Sequence, residues 1–174
     1  MTVFPKILLL VAALGLTACK NPDRYGADNP NGAAGGAGSG VSTSGLGDPN
    51  NPTSIAYFNA QVGDRVLFLV DQSTLSPEAR NILIGQAVWL KTNQDYAIII
   101  EGHADEQGTR EYNLALGARR AASVQDFLIS NGVAPSRMRT ISYGKERPIA
   151  ICSEESCFAQ NRRAVTVLSM GAGS

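Results

Sequence analysis

Apolar residues fall into three regimes along this chain. Ile7 to Leu16 is an almost unbroken apolar run, and residues 20–52 hold almost no large apolar side chain. After Pro52, apolar positions recur with the periods of folded elements. Arg65-Val66-Leu67-Phe68-Leu69-Val70 reads as a first strand. Ser76-Pro77-Glu78 opens a helix, with Ser as N-cap, Pro at the first helical position and an acid beside the free N–H groups. Ala79, Ile82, Leu83, Gln86 and Leu90 follow at helical spacing, with Trp89 beside them. Tyr96-Ala97-Ile98-Ile99-Ile100 is apolar at every position, which marks an interior strand. A long helix runs from Thr109 or Asn113 to Ser130 and stops at the C-cap pair Asn131-Gly132. Met138 to Tyr143 and Ala164 to Leu168 give a third and a fourth strand. Strands alternating with helices predict an α/β layer structure.

The first two regimes predict how the domain is delivered. Lys6 precedes an apolar run about half as long as a membrane-spanning helix, so residues 1–18 read as a targeting segment. Leu16-Thr17-Ala18-Cys19 resembles the bacterial lipobox, in which the cysteine is acylated and the chain is cut before it. An ordinary secretory signal that contains a cysteine is the plainer alternative. Several acyl chains anchor stably where one anchors only marginally, so lipidated Cys19 would fix the protein to a membrane. Lys20 stands where Asp would favour the inner membrane, which leans the expectation to the outer membrane with the domain facing the periplasm. Residues 19–52 are mostly Gly, Ala, Ser, Asn, Asp and Pro, a flexible tether with an r.m.s. span of roughly 30 Å. A linker with no distance role fits the same composition. The folded domain is expected over 53–170, with 171–174 as a tail.

Fifteen Lys and Arg balance fifteen Asp and Glu, so no electrostatic footprint argues for nucleic acid or an anionic membrane surface. In an exported protein, Cys152 and Cys157 are expected to form a disulfide. The loop is short, so the predicted stabilisation is about 2 kcal/mol or less.

The candidate chemistry lies between the second strand and the long helix. On a helical wheel Leu114, Gly117, Ala121, Val124 and Leu128 form the apolar stripe, and Arg120 falls at its edge between Leu116 and Phe127. Arg120 is therefore expected to lie along the surface and present its guanidinium to a half-covered site, while Arg119 faces solvent with Ser123 and Asp126. Residue type alone equally allows an arginine whose stem only covers the core. Asp105 sits in the loop from Gly102 to Thr109 at the end of the strand, where α/β sheets collect ligands. It could equally be a turn or capping carboxylate. An Asp and an Arg that converge can hold a zwitterion by both ends.

Glu101-Gly102-His103-Ala104-Asp105, Gly108-Thr109, Glu111-Tyr112-Asn113, Leu116-Gly117, Arg119-Arg120-Ala121, Ser142-Tyr143-Gly144-Lys145-Glu146, Pro148 and Asn161-Arg162-Arg163-Ala164-Val165 carry a closer likeness. Over residues 58–168 the chain resembles the OmpA-like peptidoglycan-binding domain family. The resemblance implies a mixed four-stranded sheet with helices packed on one face. It also implies non-covalent binding of peptidoglycan through the diaminopimelate of the stem peptide. Asp105 and Arg120 match the pair that grips this group, Asp71, Asn113 and Leu116 match further contacts, and Arg162 matches the terminal arginine pair beside the site. Leu69-Val70 departs from the acidic residue usual in that turn, which puts the rim near Asp71 in question. With the lipobox and the tether, the chain looks like the outer-membrane lipoproteins of this family. Their partners TolB and TolA serve envelope integrity and cell division.

Two other classes remain to be weighed. His103, Asp105 and Glu106 could suggest a metal or acid–base site, but His103 is the only histidine. No nucleophile elbow, zinc-protease motif or phosphate-binding loop is present, so no enzyme, cofactor or metal is expected. A periplasmic protein-interaction module with little wall binding of its own is the remaining alternative.

Overall fold

The computed structural model describes residues 47–170. The targeting segment 1–18, Cys19, the tether as far as residue 46 and the tail 171–174 lie outside the described residues. Four strands, β1 (Arg65–Leu67), β2 (Tyr96–His103), β3 (Met138–Gly144) and β4 (Arg163–Met170), form one sheet in the order β1-β4-β2-β3. β2 and β3 are parallel, while β4 runs antiparallel to both β1 and β2. The sheet is mixed and four-stranded, as the resemblance implied.

Helices α2 (Pro77–Thr92) and α3 (Arg110–Ser130) pack against the sheet. Leu83, Ala87 and Leu90 of α2 and Ala121, Val124 and Leu128 of α3 share one core with Val66, Ile98, Ile100, Met138, Ala164 and Leu168 of the strands. Ser76 caps α2 by accepting from the Ala79 N–H, with Pro77 at the first position. Helix α3 ends at Asn131, and Gly132 takes a positive φ of 89°. There the Val133 and Gly132 N–H groups bond the carbonyls of Leu128 and Ile129, the Schellman arrangement. No helix among the described residues is long and apolar enough to cross a membrane.

Several expectations need correction. β1 stops at Leu67 because the Leu69 carbonyl is drawn into a turn over Arg120, and Leu69 and Val70 emerge exposed. β2 runs three residues past Ile100, because Glu101 and Gly102 keep their ladder pairing with Val165 and Ala164 whatever their side chains. The stripe of α3 is rotated from the wheel: Leu114 is exposed, while Asn113, Leu116 and Arg120 are buried. The cause is a close contact of helix and strand. A Cβ on Gly102 would lie 1.8 Å from the Gly117 carbonyl oxygen, so the two glycines let α3 sit directly on β2. Two short elements carry no periodicity of their own. α1 (Ile55–Tyr57) continues as a π-helix through Phe58–Gly63, and α4 (Glu155–Asn161) precedes β4. Before α1, the Pro52 and Thr53 carbonyls accept from Trp89 Nε1 and Tyr96 Oη, which pins the start of the domain.

Candidate ligand site at the end of β2

The β2–α3 loop is held from several sides, which fixes Asp105. Gly108 adopts φ 89°, and Thr109 caps α3 by accepting from the Tyr112 N–H. Asn113 Nδ2 donates to the Gln107 carbonyl at 2.7 Å. From the far side, Lys145 Nζ donates to the Glu106 and Gly108 carbonyls at 3.3 and 2.7 Å. Fully buried Asn161 donates to Glu106 Oε2 and accepts from the Ile149 and Ala150 N–H groups. Asp105, only 7% exposed, is thereby set at the wall of a pocket of about 300 Å³. Val70, Asp71, Gln107, Tyr112, Asn113 and Leu116 also line it.

Arg120 lies deeper than its wheel position implied. Its surface is wholly covered, which corrects the expectation of a guanidinium lying along the surface. Nε donates to the Gln72 carbonyl at 2.8 Å, Nη1 to the His103 carbonyl at 2.8 Å and Nη2 to the Leu69 carbonyl at 3.1 Å. A guanidinium has five N–H donors, so one is left on each terminal nitrogen. The Phe68 ring lies 5.2 Å from its central carbon. Burial lowers the Arg120 pKa to about 10, with Asp105 and Asp71 favouring its charge and Arg162 opposing it. The cation therefore persists at neutral pH.

The two Arg120 contacts at Leu69 and Gln72 span a tight turn in which the Gln72 N–H bonds the Leu69 carbonyl. Asp71, inside it, is the only non-glycine residue with positive φ (57°) among the described residues. The Tyr112 hydroxyl donates to the Asp71 carboxylate and holds the turn to α3. Arg119 is exposed as expected, with its guanidinium 6.0 Å from the Tyr112 ring.

Asp105 pairs with Arg162 and not with Arg120. Arg162 Nη1 lies 3.1 Å from Asp105 Oδ2, Nη2 bonds Glu155, and Nε reaches the Phe68 carbonyl at 3.3 Å. Burial opposes the Arg162 charge, but bonds to Glu155 and Asp105 outweigh it and raise its pKa. Four of the six candidate residues, Asp71, Asp105, Asn113 and Leu116, line one pocket. Arg120 lies behind the 69–72 turn, and Arg162 lines an adjoining groove of about 610 Å³ with Phe68, Leu69 and Gln72. Cys152 and Cys157 are bridged, with Cα atoms 5.8 Å apart.

His103 puts its ring and its carbonyl to different uses. The carbonyl holds Arg120, while the buried ring stacks on Tyr143 at 5.6 Å. Burial, then Arg163 and Arg147, lowers its pKa to about 4, so the ring is neutral in ordinary buffers. Among the described residues no group of three or more His, Cys, Asp or Glu could hold a metal ion. Sequence reasoning passed over Lys145, Glu155 and Asn161. Lys145 and Asn161 stood in recognised motifs, whereas Glu155 shows its partner only in three dimensions.

The family model described as "OmpA family" matches residues 67–162, which contain every candidate residue of the site. The chain belongs to the OmpA family. It is 51% identical over 172 residues to the peptidoglycan-associated lipoprotein of Mesorhizobium japonicum, covering 98% of this chain and 94% of that one. The corresponding lipoprotein of Rhizobium meliloti is also 51% identical, over 98% of this chain and 90% of its own. The crystal structure of the peptidoglycan-associated lipoprotein from Burkholderia pseudomallei is 39% identical with a TM-score of 0.62, covering 71% of this chain and 98% of that one. Within the OmpA family the chain is thus similar to peptidoglycan-associated lipoproteins along almost its whole length.

Proposed function

We propose that this OmpA-family domain binds peptidoglycan non-covalently by gripping the free amino-acid end of diaminopimelate in the stem peptide. That end carries an ammonium and a carboxylate on one carbon. Asp105 Oδ2 is held by Arg162, and Oδ1 makes no hydrogen bond among the described residues, so Oδ1 is the acceptor for the ammonium. The two remaining N–H groups of Arg120 take the carboxylate as a bidentate pair. Reaching them requires the 69–72 turn to yield. Leu69 and Val70 of that turn are exposed and Asp71 is held at positive φ, so little packing opposes its movement. The observation that carries the reading is a buried Arg with two uncommitted donors beside a buried Asp with one uncommitted oxygen.

Acylated Cys19 would hold the protein in the outer membrane with the domain facing the periplasm, so that it tethers the membrane to the wall. Its partners there are TolB and TolA of the Tol–Pal system, and no cofactor, enzyme activity or nucleic acid enters. Exposed Leu69 and Val70 at the pocket rim favour a protein partner that covers the same end, in competition with the wall. Cosedimentation with purified peptidoglycan tests both points. The full chain is expected to pellet with the wall and to be released as TolB is added. A chain that stays in the supernatant without TolB would leave the interaction module as the reading.

A further inference from the structure

We propose that Glu155, in the turn closed by the Cys152–Cys157 bridge, is a positioning residue that keeps Asp105 open to the ligand's ammonium. This rests on the binding mode proposed above. A guanidinium that meets a single carboxylate tends to take both of its oxygens in two parallel bonds. Arg162 does not do so. Nη1 holds Asp105 Oδ2 while Nη2 is diverted to Glu155 Oε1, so Asp105 Oδ1 stays uncommitted. The Arg162 and Asp105 side chains are only 5% and 9% exposed, whereas that of Glu155 is 66% exposed. One buried cation is thus shared between a buried and an exposed carboxylate. The three formal charges sum to −1 beside the pocket, and an incoming ammonium would neutralise it. Arg120 supplies the opposite pole.

The local chain explains why the bridge matters to Glu155. Glu155 is the first residue of α4 and Arg162, seven residues on, is its C-cap, so the short helix sets the distance between them. With only seven residues, α4 is too short to hold itself together. Its first turn has no side-chain cap at Glu154, and the Cys157 and Phe158 N–H groups both bond the Glu154 carbonyl. The bridge ties Cys157 in this turn back to Cys152, so Glu155 starts from a fixed place. Without the Glu155 charge, Asp105 is the stronger acceptor, so Nη2 of Arg162 swings onto Asp105 Oδ1 and closes the ammonium position.

Calorimetry on the detergent-solubilised full chain tests this with two probes. One is a stem peptide ending in diaminopimelate, and the other is the same peptide with its distal amine acetylated. Glu155→Gln is expected to weaken the first probe roughly tenfold, as for a lost coupled charge, with melting temperature almost unchanged. The acetylated probe should bind weakly to the parent and to Glu155→Gln alike. The double variant Cys152→Ser with Cys157→Ser should reproduce part of the loss, and adding Glu155→Gln to it should not exceed the loss of Glu155→Gln alone. Parent-like affinity in Glu155→Gln would overturn the inference. So would losses that add in the combined variant or that follow melting temperature, since these mark a purely structural role. If the parent itself fails to bind the first probe, the binding mode proposed above fails, and this inference with it.

Discussion

At the end of the sheet where β2 begins, Arg137 donates to the carbonyls of Tyr96, Leu90 and Asn93 at 3.0, 2.8 and 2.9 Å. At the end where β2 finishes, Arg120 donates to three carbonyls over nearly the same distances. The two clamps look alike and serve different ends. Arg137 is half-buried and satisfies carbonyls around the last turn of α2, beside an aromatic cluster in which Trp89 packs between Phe58 and Tyr96. Burial lowers its pKa, and Asp95 is the carboxylate that favours its charge there. Arg120 is fully covered, near Asp105, Asp71 and Arg162, and its carbonyls belong to the 69–72 turn and to the last residue of β2, beside a pocket. A three-carbonyl clamp is thus a structural device in both places. In the proposed binding mode, only the charged groups gathered around Arg120 turn that clamp towards a ligand.

Parallel variants of the two clamps should break this likeness. Arg120→Met takes a donor from three carbonyls, leaving Leu69 with the Gln72 N–H, and is expected to destabilise the domain by about 3 kcal/mol. It should also abolish binding to peptidoglycan at temperatures where the variant is still folded. Arg137→Met should lose about 2 kcal/mol, because half-buried Asn93 and Tyr96 can turn their carbonyls to water while buried Leu90 cannot, with wall binding unchanged. Denaturant unfolding and cosedimentation read the two effects separately. Loss of binding in both variants would mean that rigidity of the sheet matters and the charges around Arg120 do not.

A smaller effect should come from His103, whose ring lies on the β2 residue that holds Arg120. Its folded pKa of about 4 lies below the ordinary 6.5, so the unfolded chain binds the proton more readily between these values. Stability should therefore be full above about pH 6.5 and fall as the pH drops towards 4, by about 3 kcal/mol at most. His103→Asn should flatten this slope in denaturant titrations at a series of pH values. An unchanged slope would assign the acid sensitivity to the carboxylates.

The structural end of the molecule was the more legible one. The stripe of α2, its Ser76 cap and the Asn131-Gly132 stop of α3 each follow from local rules, and the structure contains all three. Asp105 and the loop that presents it were also legible, through the glycines that flank it. Arg120 was found but misplaced, because a wheel takes its centre from apolar residues while Gly102 and Gly117 let the helix sink until its polar edge is interior. Glu155 could be seen only as an acid in a cysteine loop. Its partner Arg162 becomes visible only once α4 has folded, and α4 has too little periodicity to announce itself. Positions set by backbone rules or apolar spacing are thus readable in the chain. Positions set by which charges meet across loops are not.

The most direct measurement compares two stem peptides on the full chain, one ending in diaminopimelate and one ending in lysine. Lysine keeps the ammonium for Asp105 but lacks the carboxylate that would pair with Arg120. Calorimetry should show the lysine peptide binding roughly 100-fold more weakly, with the difference gone in Arg120→Met. Equal affinity of the parent for the two peptides would contradict the assignment of Arg120 to the ligand's carboxylate.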